Sequence, residues 1–306
     1  MPYQIRNDTF SRNHSRVNDS NFVASIRQRL LNKAKSNGEV FDFVLSRYAI
    51  ERLLFRLGKS RHADSFVLKG AMLFYIWNES MHRPTRDVDF LGFGPADCDT
   101  LEATFKEIAE SPAPDDGLTF ETRKIKADPI REEASYGGIQ IKLLAKLGTI
   151  RIPLQIDIGF GDAITPAPNT SRLPSLISEL PAPTIKTYPI YTVVAEKLEA
   201  MVLLGEQNSR MKDFYDIHFL ATTEEFNAKT LRQAIRATFN RRKTPLPNTT
   251  PESLTQEFAT LKQNQWSAFL NRNNLQSTPS DFSEILAQIR NRLPVDWTRL
   301  NGLEDA

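Results

Sequence analysis

Apolar residues at Phe22, Ile26, Leu30 and Leu31 recur at helical spacing, which predicts a helix from Asn21 to about Lys35, capped by Ser20 or Asn21. Residues 1–20 ahead of it are polar, rich in Asn, Ser and Arg, and predict a flexible N-terminal arm without the apolar stretch of a secretory signal. A second helix follows Gly38, runs through Phe41, Val44, Leu45, Tyr48, Ile50, Leu53, Leu54 and Leu57, and is expected to end at Gly58. Phe66 to Leu68 reads as a short strand, Gly70 as a turn, and Ala71 to Asn78 as a helix. A strand from Val88 to Phe93 and a helix from Asp99 to Ile108 come next. Three β-like runs follow, Leu118–Ile125, Ile139–Lys146 and Ile152–Phe160. In the last, Leu154, Ile156 and Ile158 alternate with Gln155 and Asp157, as a sheet covered on one face requires. Ala163 to Pro183 holds five prolines and predicts a linker. Beyond it the period changes from 2 to 3.6. Helices are expected over Val193–Leu204 with Thr192 as cap, Met211–Leu220, Leu231–Phe239, Leu254–Leu270 and Phe282–Leu293. The fold class is therefore α/β (α+β). A lobe with a mixed β-sheet flanked by helices spans 21–170, and a mostly helical C-terminal lobe spans 185–306.

Composition agrees with that division. The 306 residues are 40% hydrophobic and 25% charged, enough for two cores of ordinary size. No apolar run reaches the ~20 residues of a membrane span, so no membrane partner is expected. The single cysteine, Cys98, excludes an internal disulfide and a cysteine-ligated metal, and no histidine motif partners it as a nucleophile; a cytoplasmic location is expected. The net charge of +2 carries no signal for nucleic acid. From Lys229 to Leu300, however, eleven Lys or Arg stand against five Asp or Glu, densest at Arg241-Arg242-Lys243. That excess is either a phosphate-binding surface or a solvated basic face.

The candidate chemistry centres on Asp87-Val88-Asp89-Phe90. In a strand the two aspartates share one face, where like charges repel unless a cation lies between them. The order is strand, Lys69-Gly70-Ala71 turn, helix, Asp-x-Asp strand, then a later strand carrying Asp157. It suits transfer of a nucleotide: the turn holds phosphate oxygens, two carboxylates hold one or two Mg²⁺, and a third carboxylate holds a second ion or takes a proton. Each piece alone has a plainer reading. Asp-x-Asp is common in surface turns, Gly is the ordinary turn residue, and Asp157 suits an edge strand that resists aggregation.

In the helical lobe, Asp213 and Asp216 are i, i+3 neighbours, and Lys212 and Asp216 are i, i+4. Surface ion pairs worth ~0.5 kcal/mol each explain the segment as it stands. The chemical reading has Lys197 meeting a triphosphate and one aspartate orienting Lys197 or an incoming hydroxyl.

Five segments resemble, in order, the motifs of the AbiEii/AbiGii abortive-infection toxin family, within the polymerase-beta-like nucleotidyltransferase superfamily. They are Lys69-Gly70-Ala71, Arg83 to Phe90, Leu154 to Asp162, Ala195-Glu196-Lys197-Leu198 and Lys212 to Asp216. The likeness runs from about Phe22 to about Leu293. It departs at Ala71, where the superfamily often has a serine, so backbone N–H groups or Lys69 must serve in place of a hydroxyl. The resemblance implies a nucleotidyltransferase-type fold and a toxin of a toxin–antitoxin pair active in phage defence, with a cognate antitoxin encoded by a neighbouring gene. It implies Mg²⁺-dependent transfer from an NTP to an RNA acceptor, foremost tRNA; transfer to a small molecule or protein, or a non-catalytic partner-binding role, are the alternatives. Asp87, Asp89 and Asp157 would be the metal set. Lys69, Gly70, Ala71 and Arg86 would contact phosphate, and Lys197 the triphosphate. Asp213 would be the essential helical-lobe acid with Asp216 as its substitute, and the active site would lie in the cleft between the lobes.

Overall fold

The computed structural model of the chain describes residues 8–78, 85, 87–130 and 137–300, with 8–20 described as backbone alone. The chain divides into two compact units, one of Met1–Phe160 with Thr170–Lys186, the other of Gly161–Asn169 with Thr187–Ala306.

The first unit begins with helices α1 (Asp8–Asn37) and α2 (Phe41–Lys59). α1 starts ahead of the helix predicted from Asn21, because no Gly or Pro between Asp8 and Asn37 interrupts the polar stretch. Its buried residues, Ile26, Leu30 and Ala34, follow the predicted stripe. Strand β1 (Phe66–Lys69), helix α3 (Met72–Asn78), strand β2 (Asp87–Gly92) and helix α4 (Cys98–Glu110) come next. Asp97 caps α4 by accepting from the Thr100 N–H at 2.8 Å. The run predicted as one strand from Leu118 to Ile125 divides instead. β3 (Leu118–Phe120) and β4 (Lys126–Ile130) are separated by a single 3₁₀ turn, and both pair with β5 (Gly138–Leu147). β6 (Ile150–Phe160), β7 (Asn169–Arg172) and β8 (Thr184–Thr187) complete a mixed sheet in the order β3-β5-β6-β2-β1-β8-β7, with β4 also on β5.

β2 and β6 are parallel, while β1–β2 and β5–β6 are antiparallel. The apolar face presents Val88, Phe90, Ile156 and Ile158, all buried. Val88 and Phe90 line one small apolar cavity with Ile50, Leu53, Leu54 and Leu57 of α2 and Phe105 and Ile108 of α4. The segment expected to be a linker supplies one strand of this sheet, β7, and β8 follows directly after it. β7 escapes the pattern because its Asn-Thr-Ser-Arg sequence has no apolar alternation.

Gly58 does not end α2, which continues to Lys59. A Cβ at Gly58 would lie 2.3 Å from the Thr184 carbonyl oxygen, so the glycine admits the backbone of β8 against the helix. α2 also buries Arg47, Glu51, Arg52 and Arg56 among its apolar residues. The Glu51 carboxylate accepts from Ser175 Oγ at 2.9 Å and the Leu176 N–H at 2.8 Å, and burial pushes it above the usual carboxylate range. Arg56 is bidentate on Asp116 at 2.6 and 3.3 Å, and Tyr48 donates to the Asp116 carbonyl at 2.7 Å. Buried charges persist there because each has hydrogen-bonding partners, Arg47 from nearby Glu39 and the other three from far along the chain.

The second unit contains α5 (Ile190–Leu204), α6 (Met211–Thr223), α7 (Ala228–Arg242), α8 (Gln256–Asn273) and α9 (Phe282–Arg292). Phe214, Phe258, Trp266 and Phe282 form its aromatic core, with Trp266 stacked on Phe282 at 5.0 Å. Asn227, Thr255 and Asp281 cap α7, α8 and α9 through their side chains. Thr192, expected as the cap of α5, lies inside that helix, and its hydroxyl joins the Thr165 N–H and carbonyl, each at 2.9 Å. Among the described residues, no helix is long and apolar enough to cross a membrane.

Candidate active site

The register of the first unit's sheet builds a row of polar side chains. Lys69 on β1 pairs with Asp89 on β2, Asp89 with Asp157 on β6, and Asp157 with Gln140 on β5. Residues in register share a face, so these four stand side by side across four strands. Asp87, two positions before Asp89, lies on the same face in register with Gln155. β2 and β6 are interior strands, so Asp157 is not an edge-strand charge.

Gly70, at the turn after β1, has φ +74°, a conformation that suits glycine. A Cβ there would lie 1.9 Å from Asp89 Oδ2, so the carboxylate packs directly on the glycine Cα. Lys69 reaches beyond its own row: its Nζ would be 3.4 Å from a Cβ on Gly159, two residues past Asp157 on β6. A lysine ammonium, two aspartates and an open glycine turn are thus gathered within one patch. Ala71 is buried at the head of α3, which is only seven residues long, so its dipole adds little at the turn. Arg86, the other expected phosphate contact, lies outside the described residues.

Among the described residues no group of three or more His, Cys, Asp or Glu is gathered as a metal cluster. Asp157, the third member of the expected metal set, accepts from two amides: Gln140 Nε2 donates to Oδ1 at 3.0 Å, and Gln155 Nε2 donates to Oδ1 and Oδ2 at 3.3 and 3.2 Å. Asp87 and Asp89 are hard oxygen donors on one strand face. They fit Mg²⁺, which takes one or two carboxylates and fills its remaining positions with water and substrate phosphates.

In the second unit, Lys197 of α5 donates to Asp213 Oδ1 at 2.7 Å and Asp216 Oδ2 at 2.9 Å, both on α6. Arg210 Nε holds Asp213 Oδ2 at 2.6 Å. The aspartates are 1% and 0% exposed, so the surface-ion-pair reading fails for them, and Lys212, their i±4 candidate, stays exposed. Burial is the largest influence on Asp213 and pushes its pKa up, but Lys197 and Arg210 outweigh it and hold the carboxyl below the usual range.

The family profile for the nucleotidyl transferase AbiEii toxin of type IV toxin–antitoxin systems matches residues 52–288. The chain belongs to this family. Two Helicobacter pylori crystal structures are similar to the chain. One, described as that of a nucleotidyltransferase, is 18% identical with TM-score 0.48 and coverage of 85% of this chain and 99% of its own; the other, JHP933, is 17% identical with TM-score 0.48 and coverage of 83% and 93%. No curated protein matches the chain.

Within this AbiEii-family chain, the basic Arg241-Arg242 pair is used internally. Arg241 Nε donates to the Gly161 carbonyl, and Arg242 pairs with Glu199 at 2.9 Å, Asp162 at 3.2 Å and Glu196 at 3.3 Å. Burial lowers the Arg242 pKa, but Glu196, Asp162 and Glu199 outweigh it and hold the guanidinium above its ordinary value. Arg242 is therefore matched by acids of its own unit, while Arg241 stays exposed. Desolvation first, then Asp128 and neighbouring acids, push the Cys98 thiol up, which disfavours its thiolate. Gln140, Gln155 and Arg210 are the site residues that sequence reasoning did not single out: only strand register brings Gln140 to Asp157, whereas strand alternation puts Gln155 beside it and i, i+3 spacing puts Arg210 beside Asp213.

Proposed function

We propose that this chain transfers a nucleotide from an NTP to an RNA acceptor, with tRNA foremost, as the cytoplasmic toxin of its toxin–antitoxin pair, in a reaction that depends on Mg²⁺. The observation that carries this reading is the row Lys69–Asp89–Asp157 beside the Gly70 turn, with Asp87 on the same face. Asp87 and Asp89 would hold the cation, which when bound draws charge off the triphosphate. Lys69 binds a phosphate oxygen as a compact point charge, and Gly70 leaves room for both phosphate and the Asp89 carboxylate. Lys197 serves the same reaction by binding the triphosphate, with Asp213 and Asp216 fixing its ammonium. Most of the rate enhancement would come from such positioning and charge neutralisation.

Incubating the protein with Mg²⁺ and labelled NTPs, together with total tRNA, cell-lysate protein and small acceptors, tests the proposal. Label in tRNA, lost in Asp89→Ala together with toxicity, is the expected result. Label in protein or small molecules would replace the acceptor, and full toxicity of Asp89→Ala would remove the enzymatic account.

A further inference from the structure

We infer that Gln140 and Gln155 are positioning residues that aim the Asp157 carboxylate at the acceptor hydroxyl. This inference rests on the transferase reading above. Asp157 sits in the same cross-strand row as Asp89. Its two oxygens are tethered from two directions. Gln140 comes from the neighbouring strand β5, in register with Asp157, and Gln155 comes from two positions earlier on β6 itself. Both amides must present nitrogen, because a reversed amide would set a carbonyl oxygen against a carboxylate. Oδ1 takes a bond from each glutamine at 3.0 and 3.3 Å, while Oδ2 takes one at 3.2 Å. A carboxylate oxygen has two acceptor positions, so Oδ2 keeps one for a further donor.

An acceptor hydroxyl is such a donor. As its oxygen forms a bond to the α-phosphorus of the NTP, the bond from that phosphorus to the β-phosphate bridge oxygen breaks. Pyrophosphate leaves with that electron pair, and the hydroxyl proton passes to Asp157 Oδ2 and then to solvent. The glutamines touch no reacting atom. They act by removing the rotational freedom of Asp157, so that Oδ2 meets the hydroxyl at hydrogen-bond distance.

The test is a kinetic double-mutant cycle on the full chain with Gln140→Leu and Asp157→Asn, supported by Gln155→Leu and Gln140→Glu. Gln140→Leu and Gln155→Leu are expected to lower kcat ~10–100-fold, with the KM for NTP and the melting temperature little changed. Gln140→Glu, which keeps the size but sets a second negative charge against Asp157, should be worse than Gln140→Leu. In the Asp157→Asn background, Gln140→Leu should cost nothing further, because its effect runs through the carboxylate. Side-chain amide NMR provides a readout without turnover: the Gln140 NH₂ should be protected from exchange in the wild type and unprotected in Asp157→Ala. Unchanged kcat, a full multiplicative loss on Asp157→Asn, or an unprotected Gln140 amide in the wild type would overturn the inference while leaving an active transferase. A wild type that transfers no label to any acceptor would overturn the transferase reading, and this inference with it.

Discussion

Asp157 on β6 and Asp213 on α6 are both aspartates that stand out in the sequence, and the fold treats them differently. Asp157 is half-buried and held by two neutral amides, in register with Asp89 on an open sheet face. Asp213 is 1% exposed and held by two cations, Lys197 and Arg210. Asp157 thus meets neutral donors, whereas the acids of α6 come with cationic partners. Negative charge on a strand face costs little while it can meet water. Two carboxylates sealed in a helical core would be ruinous without Lys197. Substitutions in the sheet row should therefore lower activity with little loss of stability, and substitutions in the α6 cluster should lower both.

The largest expected effect comes from Gly70→Ala. Its Cβ would occupy the place of Asp89 Oδ2, which it approaches to 1.9 Å, and push the carboxylate aside. Transfer should fall by more than ~100-fold, since an ~1 Å displacement at a reacting centre costs that much, while the chain stays folded. Unaltered turnover would separate Asp89 from the chemistry. Lys197→Met should cost ~3–5 kcal/mol in urea unfolding at pH 7, because it leaves two buried carboxylates short of their cation. The pH dependence follows from Asp213. Its folded pKa lies below the ordinary 3.8, so its contribution is complete above that value and is lost as pH falls through the folded value. The stability deficit of Lys197→Met should therefore shrink below about pH 4. A deficit that stayed constant on acidification would contradict a cation-held Asp213.

Away from both sites, Gly58→Ala should cost about 1–3 kcal/mol by forcing α2 away from the Thr184 carbonyl. The smallest effect is that of Asp97→Ala, which removes the cap of α4 and should lower the melting temperature slightly with transfer unchanged.

Much of this organisation is legible in the sequence. The alternation through Leu154, Ile156 and Ile158 marks β6 and puts Asp157 on its polar face, and the i, i+3 spacing puts Asp213 and Asp216 on one side of α6. Strand register is not legible in the same way. Nothing local says that Gln140 stands opposite Asp157, and a one-residue slip would send it to the other face. Burial of charge is equally hidden. Glu51 and Arg56 look like solvent-facing interruptions of an apolar helix until Ser175, Leu176 and Asp116 arrive from distant segments. β7 is hidden because it is an edge strand of Asn, Thr, Ser and Arg after a proline-rich stretch, with little apolar surface to announce it.

The central claim is that Asp87 and Asp89 hold the cation of a bound nucleotide, and it can be tested without knowing the acceptor. The melting temperature is measured with and without Mg²⁺ and each NTP, for the wild type and for Asp89→Ala. A ligand that binds the native state stabilises it in proportion to the logarithm of its concentration over Kd, about 2.7 kcal/mol at 100-fold excess. At least one Mg²⁺–NTP combination is expected to raise the melting temperature of the wild type and to leave Asp89→Ala unmoved. An equal rise in both proteins, or none in the wild type with any NTP, would contradict the assignment.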